Sequence, residues 1–260
     1  MVSGDESRRK APYDLSIVMP AYNEEEGVGV TVTHLFAAFD RSPHRLELVA
    51  VDNGSADRTG DVLRALQPRF PGLRVHRVDV NQGYGYGVLC GIPVTSAPWV
   101  GIIPADGQVD AEDVVRLFDS AQATNGDVIA KVRRRFRMDG VMRKLVSTAY
   151  NLFVLMLWPG LGSLDVNGSP KIIRRDRLLL MGLTSKQWFL DPELMIKGHL
   201  MGLRVLELNV FARMRGTGLS NVRAATCWEF FRDLLVFRFS GALPRWRRQV
   251  RSASPSASNP

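Results

Sequence analysis

A chain of 260 residues with 45% hydrophobic and 23% charged side chains is long enough to bury a real core, and its ordinary globular proportions exclude a disordered polymer. The net charge of +8 is uneven: "KVRRRFR" (Lys131 to Arg137) holds five basic residues in seven, and Arg232 to Arg251 holds six arginines against one acid, Asp233. Such patches either form a solvated face or attract the phosphates of nucleic acid, anionic lipid or a phosphorylated substrate. Cys90 and Cys227 are too few for a disulfide framework and lack metal-ligand spacing, which suits a reducing cytosol. The polar start "MVSGDESRRKAPYD" has no signal-peptide core. The longest apolar run, "LFVLMLWPGLG" from Leu152, is too short to cross a bilayer, so no transmembrane helix is expected.

Residues 1–13 read as a flexible tail. "LSIVMPAY" (Leu15–Tyr22) predicts an apolar strand stopped by Pro20, and "NEEEGVGVTVTHLFAAF" a helix with acids in its first turn, where the dipole favours them. "LELVAVD" (Leu46–Asp52) predicts a second strand ending in the turn "NGSADRTG". Then come a helix in "DVLRALQPRF", a strand in "LRVHRVDV", a glycine-rich turn into a helix in "NQGYGYGVLCGI", and a fourth strand in "WVGIIPAD". This alternation predicts an α/β fold, a mostly parallel sheet with helices on both faces. Ligands of such sheets bind beyond the carboxyl ends of the strands. Tyr22-Asn23-Glu24, Asp52-Asn53, Asn81-Gln82 and Asp106-Gly107-Gln108 all fall at those ends.

After the basic stretch, "VMRKLVSTAYNLFVLMLW" (Val141–Trp158) predicts a long apolar helix, "TSKQWFLDPELMIKGHLMG" a loop and "LRVLELNVFA" a strand. "TCWEFFRDLLVFRF" (Thr226–Phe239) predicts a helix with a wide apolar face, followed by "PRWRRQVR". From Ser252 the chain is Ser/Pro/Ala-rich, a composition of disorder.

Gly83, Gly85 and Gly87 are spaced GxGxG and follow the third strand, so they do not form the GxGxxG dinucleotide fingerprint; a tight turn near a ligand fits better. The P-loop Lys-Ser/Thr pair is absent, the histidines are scattered without zinc-ligand spacing, and there is no Gly-x-Ser-x-Gly elbow.

Taken in order, "SIVMPAYNEEEGV", "VAVDNGSADRTGDVL", "NQGYGYGVLCGI", "IIPADGQ", "FLDPELMIKG" and "VFARMRGTGLSN" resemble the family-2 glycosyltransferases of the GT-A fold over residues 14–225. The resemblance is to their dolichyl-phosphate mannose synthase and polyprenyl-phosphate glycosyltransferase branch. It implies a nucleotide-sugar half (14–115) and an acceptor half (116–225). A basic amphipathic helical segment (226–251) and a disordered tail (252–260) follow.

By the resemblance, Pro20, Tyr22 and Glu24 form the base pocket, and Val51, Asp52 and Asn53 match a "V-D-D" strand end that grips base and ribose, with Asn53 in place of the second carboxylate. Ala105, Asp106 and Gln108 match a "D-A-D-x-Q" motif for a divalent cation (Mg or Mn) and the diphosphate. Pro104 stands at its first Asp, which predicts weaker, less selective metal binding, with Asp106 and Gln108 as ligands. Arg133 aligns with an arginine directed at phosphates. Arg215, Gly218 and Ser220 match "R-x-x-G-x-S-K", with Asn221 replacing the lysine and Arg213 a possible compensation. Asp191 and Glu193 fit an "F-D-x-E-L" turn at the acceptor mouth, although both also suit a helix start.

The implied reaction is inverting transfer of a sugar from a nucleotide diphosphate donor, with cation and arginines stabilising the leaving diphosphate. A lipid phosphate acceptor is already an anion and needs positioning cations, supplied by Arg133 to Arg137, Arg143, Lys144 and Arg215; a hydroxyl acceptor needs a base, for which Asp191 is the candidate. Trp228, Phe230, Phe231, Leu234, Leu235 and Phe237, followed by Arg245, Trp246, Arg247 and Arg248, suit either an anionic membrane surface or packing on the domain. A cytoplasmic enzyme held peripherally at the inner face of a membrane, with no nucleic-acid partner, is the resulting expectation. The alternative from another class is a non-catalytic nucleotide- or nucleic-acid-binding protein that has lost its metal site.

Overall fold

The computed structural model describes residues 12–134, 141–163, 165–210 and 224–253; for 134, 141–147, 224–230, 251 and 253 it describes the backbone alone. One sheet of seven strands runs in the order β3-β2-β1-β4-β6-β5-β7. β1 (Leu15–Ala21) and β2 (Leu46–Asn53) are buried at every position, which is why both read as unbroken apolar runs rather than alternating ones. β3 (Leu73–Val78) and β4 (Trp99–Ile102) lie parallel to them. Successive strand side chains point to opposite faces and so feed two apolar layers. Leu15, Ile17, Phe36 and Phe118 belong to one; Val18, Val49, Val51 and Ile102 belong to the other. The crossover helices are α1 (Val28–Asp40), α2 (Thr59–Leu66), α3 (Tyr84–Gly91) and α4 (Ala111–Gln122).

In the second half, β5 (Val128–Arg134) and β7 (Arg204–Val210) pair in parallel, while β6 (Lys171–Arg174) runs antiparallel to both β4 and β5. The sheet is thus mostly parallel with one reversed strand, β6, between β4 and β5. α5 (Val141–Leu157), α6 (Arg175–Met181), α7 (Leu190–Leu200), α8 (Ala224–Phe239) and α9 (Ala242–Ala253) complete the chain. Residues Leu190 to Gly198 of α7 are all buried, so its charged members Asp191, Glu193 and Lys197 require partners inside the protein.

Several sequence expectations change. α1 begins at Val28, and no acid lies in its first turn. Asn23 adopts a left-handed φ of 53°, and the N–H groups of Asn23, Glu24 and Glu25 donate to Ser55 Oγ, Thr59 Oγ1 and Asp57 Oδ2. Those bonds hold the acids in a loop. α2 stops at Leu66, two residues before Pro68, whose ring disfavours helix in the residue ahead of it. α4, β5, β6 and α6 are not among the predicted elements, and α7 forms inside the stretch expected as a loop, its polar residues Asp191, Glu193 and Lys197 masking a helix buried on all sides.

"KVRRRFR" begins as strand β5, and Lys131 is fully buried rather than part of a solvated patch. The C-terminal segment forms two helices instead of one, broken at Gly241 with φ 75°. Much of the apolar face expected at a membrane packs on the domain: Phe231 meets Tyr150 and Phe153, Phe237 meets Phe189, and Leu234 and Trp246 are buried. Among the described residues no helix is long and apolar enough to cross a membrane.

Candidate active site

Strand ends β1 to β4 bring their polar residues to one edge of the sheet. Pro20 lies beside Gly87 and Asn53: a Cβ on Gly87 would sit 2.9 Å from Pro20 Cβ and 3.1 Å from Asn53 Cγ. Beyond it Tyr22 is half exposed. The backbone carbonyl of Glu24 accepts from Gly27 and Val28 and so launches α1. Asp57 clasps the β1–α1 and β2–α2 loops together, accepting from Thr59 N (2.9 Å), Thr59 Oγ1 (2.5 Å) and Glu25 N (3.2 Å). Partial burial raises its carboxyl pKa, but the bonds from Thr59 and Glu25 outweigh this and hold it below the ordinary value.

At the end of β2 the side chains turn inward. Val51 is in the core. The Asp52 carboxylate is fully buried, paired with Arg77 at 2.5 Å and accepting from Ser55 N at 3.0 Å. Asn53 is 2% exposed, and its Nδ2 donates to Gly83 O (3.0 Å) and Asn81 Oδ1 (3.4 Å). An amide fits here because it meets two acceptor oxygens; a carboxylate has nothing to donate to them.

The glycine run serves close packing. Gly83 has φ 110°, and a Cβ on Gly85 would collide with the carbonyl oxygens of Ser185 and Gln187. That proximity lets the 184–188 loop bind the β3–α3 turn. Tyr86 N donates to Lys186 O (2.8 Å), and Gln187 Nε2 to Gln82 O (2.9 Å). Glu193 anchors the same loop from inside, accepting from Thr184 N and Ser185 N while pairing with Lys197 at 2.6 Å. Its role in the structure is therefore that of a buried anchor.

After β4 the chain turns through Ala105, which is buried and whose carbonyl accepts from Thr31 Oγ1, to Asp106 and Gln108, both half-buried. Gln108 N donates to Asp106 Oδ1 at 3.2 Å. Asp110 caps α4 by accepting from Glu112 N, so it does not replace the carboxylate missing at Pro104. Among the described residues no group of three His, Cys, Asp or Glu side chains gathers as a metal cluster. One carboxylate and one amide oxygen make a partial oxygen set. It fits a hard divalent cation that takes its remaining ligands from phosphate oxygens and water.

Three features here had no signal in the sequence motifs. Tyr84 is one: its hydroxyl lies in the field of the Asp191 and Asp106 carboxylates, with Ser169 nearby. Burial, then those charges, push its pKa well above the ordinary value. The second is a pair of lysines, Lys131 and Lys171, directly opposite each other in the β5–β6 register and both fully buried. Lys131 is matched by Glu207 at 3.1 Å and Lys171 by Asp191 at 2.5 Å. Burial, reinforced by Lys171, lowers the Lys131 pKa against the pull of Asp165 and Glu207. The third is Arg77, which neutralises Asp52. Arg133 is half-buried near the end of β5. Arg143 and Lys144 fall on α5. Arg213, Arg215, Gly218, Ser220 and Asn221 lie outside the described residues.

Known proteins bear on this arrangement. The chain is 28% identical over 229 residues to dodecaprenyl-phosphate galacturonate synthase of Rhizobium johnstonii, covering 87% of this chain and 67% of that protein. It is 32% identical over 139 residues to undecaprenyl-phosphate 4-deoxy-4-formamido-L-arabinose transferase of Edwardsiella ictaluri, covering 53% of this chain and 42% of that one. It therefore spans two thirds of the first relative and under half of the second. Glucosyl-3-phosphoglycerate synthase from Mycobacterium tuberculosis, in complex with Mn2+, uridine diphosphate and phosphoglyceric acid, shares the fold with a TM-score of 0.69 at 22% identity, over 87% of this chain and 78% of that one. The family profile "Glycosyl transferase family 2" matches residues 16–179. With more than half its length matched and the GT-A architecture in place, this chain belongs to glycosyl transferase family 2.

Proposed function

We propose that the chain transfers a sugar from a nucleotide diphosphate donor to the phosphate of a polyprenyl lipid. The observation that carries this choice of acceptor is the state of Asp191. It is the carboxylate offered as a base for a hydroxyl acceptor, yet it is buried and bound to Lys171 at 2.5 Å. A phosphate acceptor is already ionised and needs no such base. The names of the relatives, both polyprenyl-phosphate enzymes, support the same acceptor.

In this reading an acceptor phosphate oxygen attacks the anomeric carbon in line. The bond from that carbon to the donor's diphosphate breaks, its electron pair leaves with the nucleotide diphosphate, and the configuration inverts. Pro20, Tyr22 and Glu24 on the loop clasped by Asp57 bind the base, and the β2 end with Asp52, Asn53 and Arg77 shapes the floor beneath base and ribose. Asp106, with Gln108 beside it, would hold a divalent cation, which when bound would supply positive charge to the diphosphate. Arg133, and Arg215 by the motif resemblance, supply positive charge for the two phosphates.

Attachment to an anionic membrane surface is part of the proposal. Leu152 and Met156 on α5, and Leu235, Val236 and Phe239 on α8, are exposed, Phe239 at 74%. The arginines of α9, Arg245, Arg247 and Arg248, are exposed as well. Apolar residues beside exposed arginines suit an interfacial site. Radiolabelled donor incubated with polyprenyl phosphate tests the reaction. Label passing into organic solvent, abolished by Asp106→Ala, is expected; label on a water-soluble acceptor alone would turn the assignment to the hydroxyl reading. Flotation with anionic vesicles tests the attachment, and protein left at the bottom of the gradient would count against it.

A further inference from the structure

Trp188 is 52% exposed although both its neighbours in the fold are fixed. Its ring stacks on Tyr84, with centroids 5.0 Å apart and planes 10° from parallel. Tyr84 directly follows Gly83, whose carbonyl accepts from Asn53 at the end of β2 (3.0 Å), so the inner partner of the stack belongs to the site while the outer indole stays open to solvent. The loop carrying Trp188 is held by Glu193 and by the β3–α3 turn, which makes the ring a fixed surface rather than a swinging one.

The chemistry of the surroundings selects the occupant. A sugar laid on an aromatic ring also needs hydrogen-bond partners beside it, whereas a hydrocarbon chain needs only contact area. The polar side chains next to Trp188 in sequence are already engaged: Lys186 Nζ meets Gln82 Oε1 at 2.8 Å and Gln187 Nε2 meets Gln82 O at 2.9 Å. On its other side Phe189 packs on Phe237 of α8, with ring centroids 5.2 Å apart. That helix carries the exposed Val236 and Phe239 on its outer side. The open ring therefore stands between the carboxylate-bearing site and an apolar helix.

We infer that Trp188 is a specificity-determining residue that seats the proximal isoprenoid units of the acceptor, so that the lipid's phosphate enters beside Tyr84. The inference rests on the polyprenyl-phosphate reading given above. It is tested with a series of isoprenyl phosphates of increasing chain length, each as acceptor with a fixed donor. For the wild-type enzyme kcat/KM should climb over the first isoprene units and then level off. In Trp188→Ala that climb should shrink by about tenfold, as expected for losing the burial of a few methylene groups. Trp188→Phe should restore most of it, and Leu179→Ala, an exposed apolar residue on α6, should leave the climb intact.

A loss that is equal at every chain length, or one that appears in the donor KM with the climb unchanged, would overturn the inference and make Trp188 a sugar platform or a prop for its loop. If the wild-type enzyme transfers no sugar to any isoprenyl phosphate, the acceptor reading fails and this inference fails with it. If lipid transfer proceeds but Trp188→Ala keeps the full climb, only the inference fails.

Discussion

Replacing Asp191 by Leu separates a catalytic base from a buried counter-ion. The carboxylate is the ion-pair partner of Lys171, whose ammonium is 0% exposed and sits opposite Lys131 in the β5–β6 register. Removing one member of such a pair leaves an uncompensated buried charge and costs about 3 kcal/mol. For a chain of this size that lowers Tm by roughly 6–12 °C, at 2–4 °C per kcal/mol. The double variant Lys171→Met/Asp191→Leu removes both charges and fills the space with apolar atoms. It should recover most of the lost Tm, since an apolar pair replaces a buried ion pair at little cost. Thermal unfolding reads the stability, and organic extraction of the labelled sugar reads the activity of the same samples. Lipid transfer should return with Tm in the double variant. If that variant melts like the wild type yet has lost about a hundredfold or more in kcat, the size of a missing general base, then Asp191 acts on the substrate and the argument for a phosphate acceptor falls.

Other expectations follow from the same geometry. Asn53→Asp should destabilise by about 2 kcal/mol, because the new carboxylate faces the acceptor oxygens of Gly83 and Asn81; an unchanged melting curve would refute this. Asp57 is held below its ordinary pKa in the folded protein, so protonation favours the unfolded chain. Its contribution to stability should be present above pH ~4 and fade as pH falls further. Asp57→Asn should flatten that acid limb in a Tm-against-pH series and raise the donor KM by loosening the loop of Tyr22 and Glu24. Pro104→Asp should tighten Mn2+ binding in the presence of a nucleoside diphosphate by about tenfold, since ligand charge tunes the affinity of oxygen sites; titration calorimetry giving equal affinities would show that one carboxylate already suffices.

The first half of the fold is legible because its buried parallel strands are continuous apolar runs closed by polar turns. "LSIVMPAY" and "LELVAVD" need no tertiary knowledge to read. α1 misreads by its start, since Asn23 and Glu24 look like a helix opening until the 53–59 turn takes their N–H groups. The second half is less legible for a different reason. Lys131, Lys171 and Asp191 are polar residues at core positions, and each is tolerable only because a partner arrives from another segment of the chain, such as Glu207 for Lys131 and Lys171 for Asp191. No local pattern records that pairing, so β5 reads as a basic patch and the four-residue β6 not at all. Gly83 and Gly85 are similar: the sequence marks a tight approach, but only the fold identifies the 184–188 loop as what approaches.

On the proposed reaction, these pairings bear on how one edge would accommodate two anions, the donor's diphosphate and the acceptor's phosphate. A site dense in uncompensated carboxylates would repel both, and in a partly desolvated pocket that repulsion is weakly screened. Around this edge negative charge is repeatedly removed or matched. Pro104 and Asn53 stand where carboxylates are expected, Asp52 is matched by Arg77, Asp191 by Lys171 and Glu193 by Lys197. Asp106 is a half-buried acid on the turn proposed for the cation, where negative charge is of use. On the proposed reaction, the Pro104 and Asn53 departures therefore belong with the buried ion pairs as parts of one electrostatic arrangement, in which carboxylate character would be kept for the cation and withdrawn from the edge proposed to bind the phosphates.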